Sequence, residues 1–252
     1  MVNIAVCGAC GKMGRFIYDV ISERSDCKII AGIDKFGEPY AEFPIVRSAS
    51  ELKEKPDVII DFSHPSALDD LTSYGLINGV PLVLATTGYN DEQIQKIHKT
   101  AEQIPVFFTF NMTLGINLLA ELAQTAAKVL GDQYDIEIIE KHHNQKIDAP
   151  SGTAIMLADA INNVLDEKYT YTYDRHSVRA KRSKTEIGMH SVRGGTIVGE
   201  HEIIFAGRDE VITLKHEAHS KQVFAVGAVN AAVFLAGKSA GIYNMANLLS
   251  EK

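Results

Sequence analysis

Cysteine is scarce in this chain: Cys7, Cys10 and Cys27 are the only three among 252 residues. So few thiols cannot organise a chain of this length as a disulfide scaffold. Long apolar runs are also lacking, which leaves no candidate for a membrane span, and the opening "MVNIAVCGACGKMG" enters a strand pattern without a charged leader, an apolar h-region or a cleavage site. A cytoplasmic protein is expected. Positive charge is not in excess, since 25 basic against 32 acidic residues give a net charge of -7. That balance excludes a general binder of nucleic acid or of membrane surfaces, although a local basic site stays open. Metal spacing is thin. Cys7 and Cys10 spell C-x-x-C, but no second pair follows and both lie in a glycine loop. "HEAH" at His216 to His219 lacks the H-E-x-x-H spacing, and its surroundings, "EVITLKHEAHS", alternate as a strand does. No metal is expected.

What the chain does contain is 46% hydrophobic residues, enough for one large or two modest domains. Two are expected. "VNIAVCGACGKMGRFIYDVISER" reads as an apolar strand, a glycine turn and an amphipathic helix. Gly8, Gly11 and Gly14 allow a tight turn, approach of the backbone to a pyrophosphate, and close helix–strand packing, with Lys12 and Met13 inside the turn. A second strand, "CKIIAGID", ends in Asp34, twenty residues after Gly14, where a carboxylate can take ribose hydroxyls. Lys35 beside it and Lys12 can serve a 2′-phosphate or be solvated loop charges. NADH and NADPH are therefore both admitted.

Strand and helix continue to alternate through "PDVIIDFS", "PSALDDLTSYGLING", "VPLVLATTG", "NDEQIQKIHKTAEQI" and "PVFFTFN". The pattern predicts an α/β unit with a Rossmann-type, doubly wound parallel sheet. Ligands gather at the carboxyl ends of such strands, which here are Gly8, Asp34, Phe62 and Ser63, Thr86, Thr87 and Gly88, and Phe110, Asn111 and Met112. From residue 112 the rhythm changes. A helix, "LGINLLAELAQTAAKVLG", precedes the alternating strand "YDIEIIEKHH", a helix from Ser151, and then several strands in succession. That order predicts an α+β domain on a mixed sheet.

The expected division is a dinucleotide-binding domain at 1–111, completed by C-terminal helices at about 220–252, and a substrate-binding and oligomerisation domain at 112–219. A cleft between them that closes on the substrate is the expected arrangement. The segment Glu167 to Glu186, rich in charge and aromatics, reads either as a mobile loop over the site or as a solvated connection, with the second favoured slightly. Between the alternating strand and the next helix lies "EKHHNQKIDAPSGTA". Pro150 and Ser151 read as a helix start, so the N–H groups of Gly152 and Thr153 are expected to point outward, unpaired, as a seat for an anion. Lys146, His142 and His143 lie beside it, with Asp148 expected to fix the loop. Arg193, in "SVRGG", either reaches the substrate or serves its strand.

The motifs "GACGKMGR", "DFS", "ATTG", "EKHHNQKIDAPSGTA" and "VGEHEIIFAG" resemble, in order and spacing over nearly the whole chain, the bacterial and plant 4-hydroxy-tetrahydrodipicolinate reductases, or dihydrodipicolinate reductases, of lysine biosynthesis. The resemblance implies NAD(P)H-dependent reduction of a cyclic dicarboxylic imine with loss of water. It assigns His142 as general acid/base and Lys146 as proton donor or stabiliser of charge on the ring nitrogen. His143, Ser151, Gly152 and Thr153 become the binders of a substrate carboxylate. It also implies a homotetramer assembled through the second-domain sheets. Cys10 and Lys12 depart from the glycine and arginine common in the family, which bears on cofactor preference. Two rivals stand beside this assignment: another two-domain dehydrogenase of amino-acid metabolism, such as an aspartate or homoserine dehydrogenase, and a nucleotide-sensing protein that has lost turnover.

Overall fold

The structure, a computed structural model, describes residues 1–109 and 111–251. The expected Phe110 lies outside the described residues. The chain divides into two compact units, Met1–Thr113 with Lys221–Lys252, and Leu114–Ser220. In the first, strands β1 (Val2–Cys7), β2 (Cys27–Ile33), β3 (Ile45–Val46), β4 (Val58–Asp61), β5 (Leu82–Leu84), β6 (Pro105–Phe108) and β12 (Gly241–Tyr243) form one sheet in the order β12-β6-β5-β4-β1-β2-β3. Every pairing is parallel. Chain order reverses between β1 and β4, so the glycine loop after β1 stands at the switch point where doubly wound sheets bind ligands.

Burial on both faces explains why these strands are near-continuous apolar runs. Helices α2 (Leu68–Asn78) and α3 (Asp91–Ala101) lay Leu68, Leu71, Ile97 and Ala101 against Ala5, Ile59, Leu82, Leu84 and Val106. Helices α1 (Lys12–Ser22) and α6 (Gln222–Leu235) pack together, and α6 also packs on β4, β5 and β6. A helix apolar all round belongs in an interior, and α6 buries Ala225, Ala228, Val229, Ala231, Ala232 and Leu235. The short strand β12 and helix α7 (Met245–Ser250) follow it. Neither β3 nor β12 is foreseen in the sequence, because two or three residues are too few to display a period.

The second unit holds β7 (Asp135–His142), β8 (Thr170–Thr172), β9 (Glu186–Arg193), β10 (Gly199–Ala206) and β11 (Val211–Ala218) in the order β11-β10-β7-β9-β8. The sheet is mixed, as expected. β10 is antiparallel to β7 and β11, while β9 is parallel to β7 and β8. Helices α4 (Leu114–Leu130) and α5 (Gly152–Asn162) supply Ile116, Leu119, Leu157 and Ile161 to a core shared with Ile136, Ile138, Ile187, Ile203 and Phe205. Each such side chain contributes about 1.5–3 kcal/mol of burial. His216 lies on β11, as the alternation around "HEAH" predicts.

The segment expected as a solvated connection is more structured than that. It contains β8, and Arg182 donates to Glu137, Asp135 and the carbonyls of Ile136 and Glu186. Arg175 pairs with Glu137 and Glu186. Arg175 and Arg182 lie in the connection after β8, where charge reads as solvated loop in sequence, yet here they anchor the segment to β7. No helix among the described residues is long and apolar enough to cross a membrane.

Candidate functional site

In the first unit the glycines meet geometric demands. Gly8 has φ +77°, and a Cβ there would lie 2.6 Å from the Phe62 carbonyl oxygen at the end of β4. Only glycine meets both constraints. A Cβ on Gly14 would collide with the carbonyls of Gly8 and Ala9. Gly11 caps α1, whose first turn holds Lys12 and Met13 and no acidic residue. Free N–H groups at such an end suit a pyrophosphate. Loop and helix therefore fit a dinucleotide.

Asp34 lies at the end of β2, as expected, and accepts the N–H groups of Cys10, Phe36 and Gly37 at 3.0–3.1 Å. Lys35 and Lys12 are exposed. Sequence inspection missed Arg47, whose guanidinium donates to the Lys35 carbonyl at 2.6 Å and lies 3.3 Å from that of Gly37. β3 is too short to have announced it. The Ser63 N–H donates to Thr86 Oγ1 at 2.9 Å, joining the ends of β4 and β5. Asp61, fully buried, accepts from Ser63 Oγ at 2.5 Å and from the Tyr89 hydroxyl at 3.1 Å. Burial raises its carboxyl, and the hydrogen bonds from Ser63, Thr86 and Tyr89 oppose that rise.

Thr87 and Gly88 are exposed beyond β5. Asn111 and Met112 are buried; Asn111 Oδ1 accepts from Thr113 N and Oγ1, and Met112 presents its backbone to Gly227. The thiols of Cys7 and Cys10 turn to different partners, Ser63 Oγ and the Glu38 carbonyl. Among the described residues no group of three or more His, Cys, Asp or Glu is placed to hold a metal.

The second unit assembles the other half of the candidates at the end of β7. Side chains alternate across a strand, so the face that buries Ile136 and Ile138 also buries Glu140 and His142. Cross-strand register puts Glu140 opposite His201 of β10 and His142 beside Arg193 of β9. Glu140 is 1% exposed. Its Oε1 accepts from Arg193 Nη2 at 2.7 Å and from Ser151 N at 3.2 Å. Its Oε2 accepts from Arg193 Nη1 at 2.8 Å and lies 2.5 Å from His142 Nδ1. Burial alone would raise this carboxyl, but Arg193 and His142 hold it down at about 2. Arg193 also donates to the Asp148 carbonyl at 2.6 Å. Of its two expected roles, it thus serves the strand and the loop.

His142 is lowered by burial, with Glu140 opposing and Lys146 and Arg193 adding to the shift. Burial thus favours its neutral imidazole over the imidazolium. His201 packs edge-on to it at 5.2 Å between ring centroids and is pushed down to about 3 by burial and by His142. Ser151 is the N-cap of α5, accepting from Ala154 N at 3.2 Å, and its hydroxyl also meets His201 Nε2 at 3.1 Å. Its side chain is committed to the interior, in contrast to the carboxylate-binding role expected for it.

Lys146 pairs with Asp148 at 2.8 Å, which draws the Asp148 carboxyl down. Asp148 thus sets a carboxylate close in sequence to the helix start expected to seat an anion. His143 is half-buried, and its carbonyl accepts from Lys146 N at 3.2 Å. Thr153 is half-buried in the first turn of α5. The residues missed in sequence are Glu140 and His201, both on alternating strands whose register is non-local.

Sequence models described as dihydrodipicolinate reductase, N-terminus and C-terminus, match residues 2–112 and 115–249. The chain belongs to the dihydrodipicolinate reductase family. Membership makes it an oxidoreductase of lysine biosynthesis that draws on a nicotinamide cofactor. The 4-hydroxy-tetrahydrodipicolinate reductase of Caldanaerobacter subterraneus subsp. tengcongensis is 47% identical over 251 residues, covering 100% of this chain and 99% of that one. The dipicolinate-bound dihydrodipicolinate reductase from Paenisporosarcina sp. TG-14 superposes with a TM-score of 0.81 at 28% identity, over 97% of both chains. Aspartate dehydrogenase from Thermotoga maritima, at 10% identity over 94% of this chain and 98% of that one with a TM-score of 0.52, shares the fold alone. The family's C-terminal segment includes α6, β12 and α7, which in space complete the first unit.

Proposed function

We propose that the chain reduces 4-hydroxy-tetrahydrodipicolinate to tetrahydrodipicolinate, with the cofactor held by the first unit and the substrate by the second. One substrate, one reduced nicotinamide cofactor and one proton are consumed; product, oxidised cofactor and one water are released. The bound nicotinamide supplies the hydride. His142 moves protons at Nε2, and Lys146 donates to, or stabilises charge on, the ring nitrogen. His143, Gly152 and Thr153 receive a substrate carboxylate, while Ser151 acts by capping α5.

One observation carries this assignment. The Asp148 carboxylate rests on the Lys146 ammonium just before the start of α5, so a carboxylate already meets the cation assigned to the substrate. A relative that binds dipicolinate, itself a planar dicarboxylate, is in keeping with that seat. Both NADH and NADPH are proposed as cofactors. Asp34 suits ribose hydroxyls, and Lys12, Lys35 and Arg47 supply cations for a 2′-phosphate. A homotetramer is supported by the second sheet, whose face opposite its helices carries Ile139, Val192 and Ile204 only partly covered or exposed. Free cysteines are in keeping with a cytoplasmic enzyme.

The test is the loss of nicotinamide absorbance when the purified protein meets substrate made in the cuvette from pyruvate and aspartate semialdehyde by the preceding synthase. NADH and NADPH are run in parallel. Oxidation that depends on the synthase is the expected result. Binding of both cofactors without oxidation would support the nucleotide-sensing alternative.

A further inference from the structure

An ionised carboxylate only accepts hydrogen bonds. Four nitrogens meet Glu140: Arg193 Nη2 and Ser151 N on Oε1, and Arg193 Nη1 and His142 Nδ1 on Oε2, and the Ser191 side chain also helps to hold the carboxyl down. Three of these nitrogens are obligate donors. The fourth, facing the same anion at 2.5 Å, must carry its proton too. A neutral imidazole has one N–H, so the remaining lone pair of His142 lies on Nε2. That nitrogen faces Gly199, where a Cβ would stand 3.2 Å from it. The Arg193 fork occupies both carboxylate oxygens and blocks rotation of the group.

We propose that Glu140, clamped by Arg193, is a positioning residue of the reaction, which holds the His142 proton on Nδ1 and so presents Nε2 to the substrate. The inference rests on the reading of His142 as the acid/base group. The charged and titratable groups that face His142 are Glu140, Lys146 and Arg193, with His201 at the ring edge. The two cations disfavour an imidazolium, and Glu140 alone among them favours it. Glu140 therefore sets both the tautomer and the ease with which Nε2 takes up a proton. The bland alternative is a structural ion pair that only ties β9 to β7. It requires no particular proton position on His142.

Glu140→Gln separates the two. The amide oxygen is expected in the Oε1 place, where Arg193 and the Ser151 N–H both donate. Its NH2 then faces His142 Nδ1, which must become the acceptor, and the proton moves to Nε2. Imidazole nitrogens distinguish the tautomers in nitrogen-15 spectra of histidine-labelled protein. The wild type is expected to show Nδ1–H and a bare Nε2 at neutral pH, and the variant the reverse. kcat should fall by about 100-fold or more, with KM within about threefold.

Glu140→Asp, which keeps the charge, should recover part of the rate and the Nδ1–H tautomer. An Nε2–H tautomer in the wild type would overturn the inference. So would a switched tautomer with unchanged kcat, or a lost rate with an unswitched tautomer. Should the Gln variant not fold, the wild-type spectrum and the Asp variant decide alone. His142→Ala is run alongside. Full turnover there refutes the role of His142 itself, and the spectra still report the tautomer separately.

Discussion

Replacing Arg193 by leucine removes both guanidinium bonds from a carboxylate that is 1% exposed. Breaking a buried pair on one side typically costs about 3–5 kcal/mol, because the other charge is left behind. Here Glu140 has an escape, which is to take up a proton. Holding it protonated at pH 7, against an ordinary value of 4.5 in the unfolded chain, costs about 3.4 kcal/mol at 1.36 kcal/mol per pH unit. The expected loss at pH 7 is therefore about 3 kcal/mol.

The sign of the pH dependence follows. In the wild type the folded carboxyl, at about 2, lies below its unfolded value, so its stabilisation is present above about pH 4.5 and fades as pH falls towards 2. In the variant the folded value is raised above the unfolded one, so acid relieves the strain. The gap between the two proteins should narrow from pH 7 to pH 5. Urea midpoints followed by far-ultraviolet circular dichroism, at one protein concentration, measure it. Equal midpoints at pH 7, or a gap that widens in acid, would contradict the pairing of Arg193 with a buried, ionised Glu140.

Two more perturbations bear on the two units separately. His201 is held at about 3 against an ordinary 6.5, so the unfolded chain binds a proton that the folded one refuses, and stability should fall as pH drops from about 6.5 towards 3. His201→Gln should flatten that slope by up to about 1.4 kcal/mol per pH unit, and an unchanged slope would contradict the burial assigned to this ring. In the first unit, Gly8→Ala places a Cβ at positive φ, 2.6 Å from the Phe62 carbonyl. If the free loop relaxes, restoring about 1–2 kcal/mol of backbone strain on binding corresponds to roughly tenfold weaker cofactor binding, which titration calorimetry would read as a raised Kd.

Much of this architecture is legible in the residues, for identifiable reasons. The glycine loop and the buried parallel strands announce themselves because a doubly covered sheet needs apolar runs, and tight turns need glycine. Ser151 is legible as a cap because capping is local chemistry. The failures are non-local. Glu140 looks like any polar residue in "YDIEIIEKHH" until the alternation is followed to its end, where Ile136 and Ile138 being buried places Glu140 and His142 on the same face. That signal was available. Arg193 and His201 were not so accessible, since their partners depend on the β7/β9 and β7/β10 registers. Asp148 at the helix start is a choice among several anions that local pattern cannot make.

The most direct test of the site is to compare kcat and cofactor Kd for His142→Ala and Lys146→Ala with the wild type, using substrate generated in the cuvette. Each variant is expected to lose about 100-fold or more in kcat, while the Kd for NADH or NADPH stays within about twofold. Wild-type turnover in both variants would contradict it, and would leave the cluster at the end of β7 without the chemistry assigned to it.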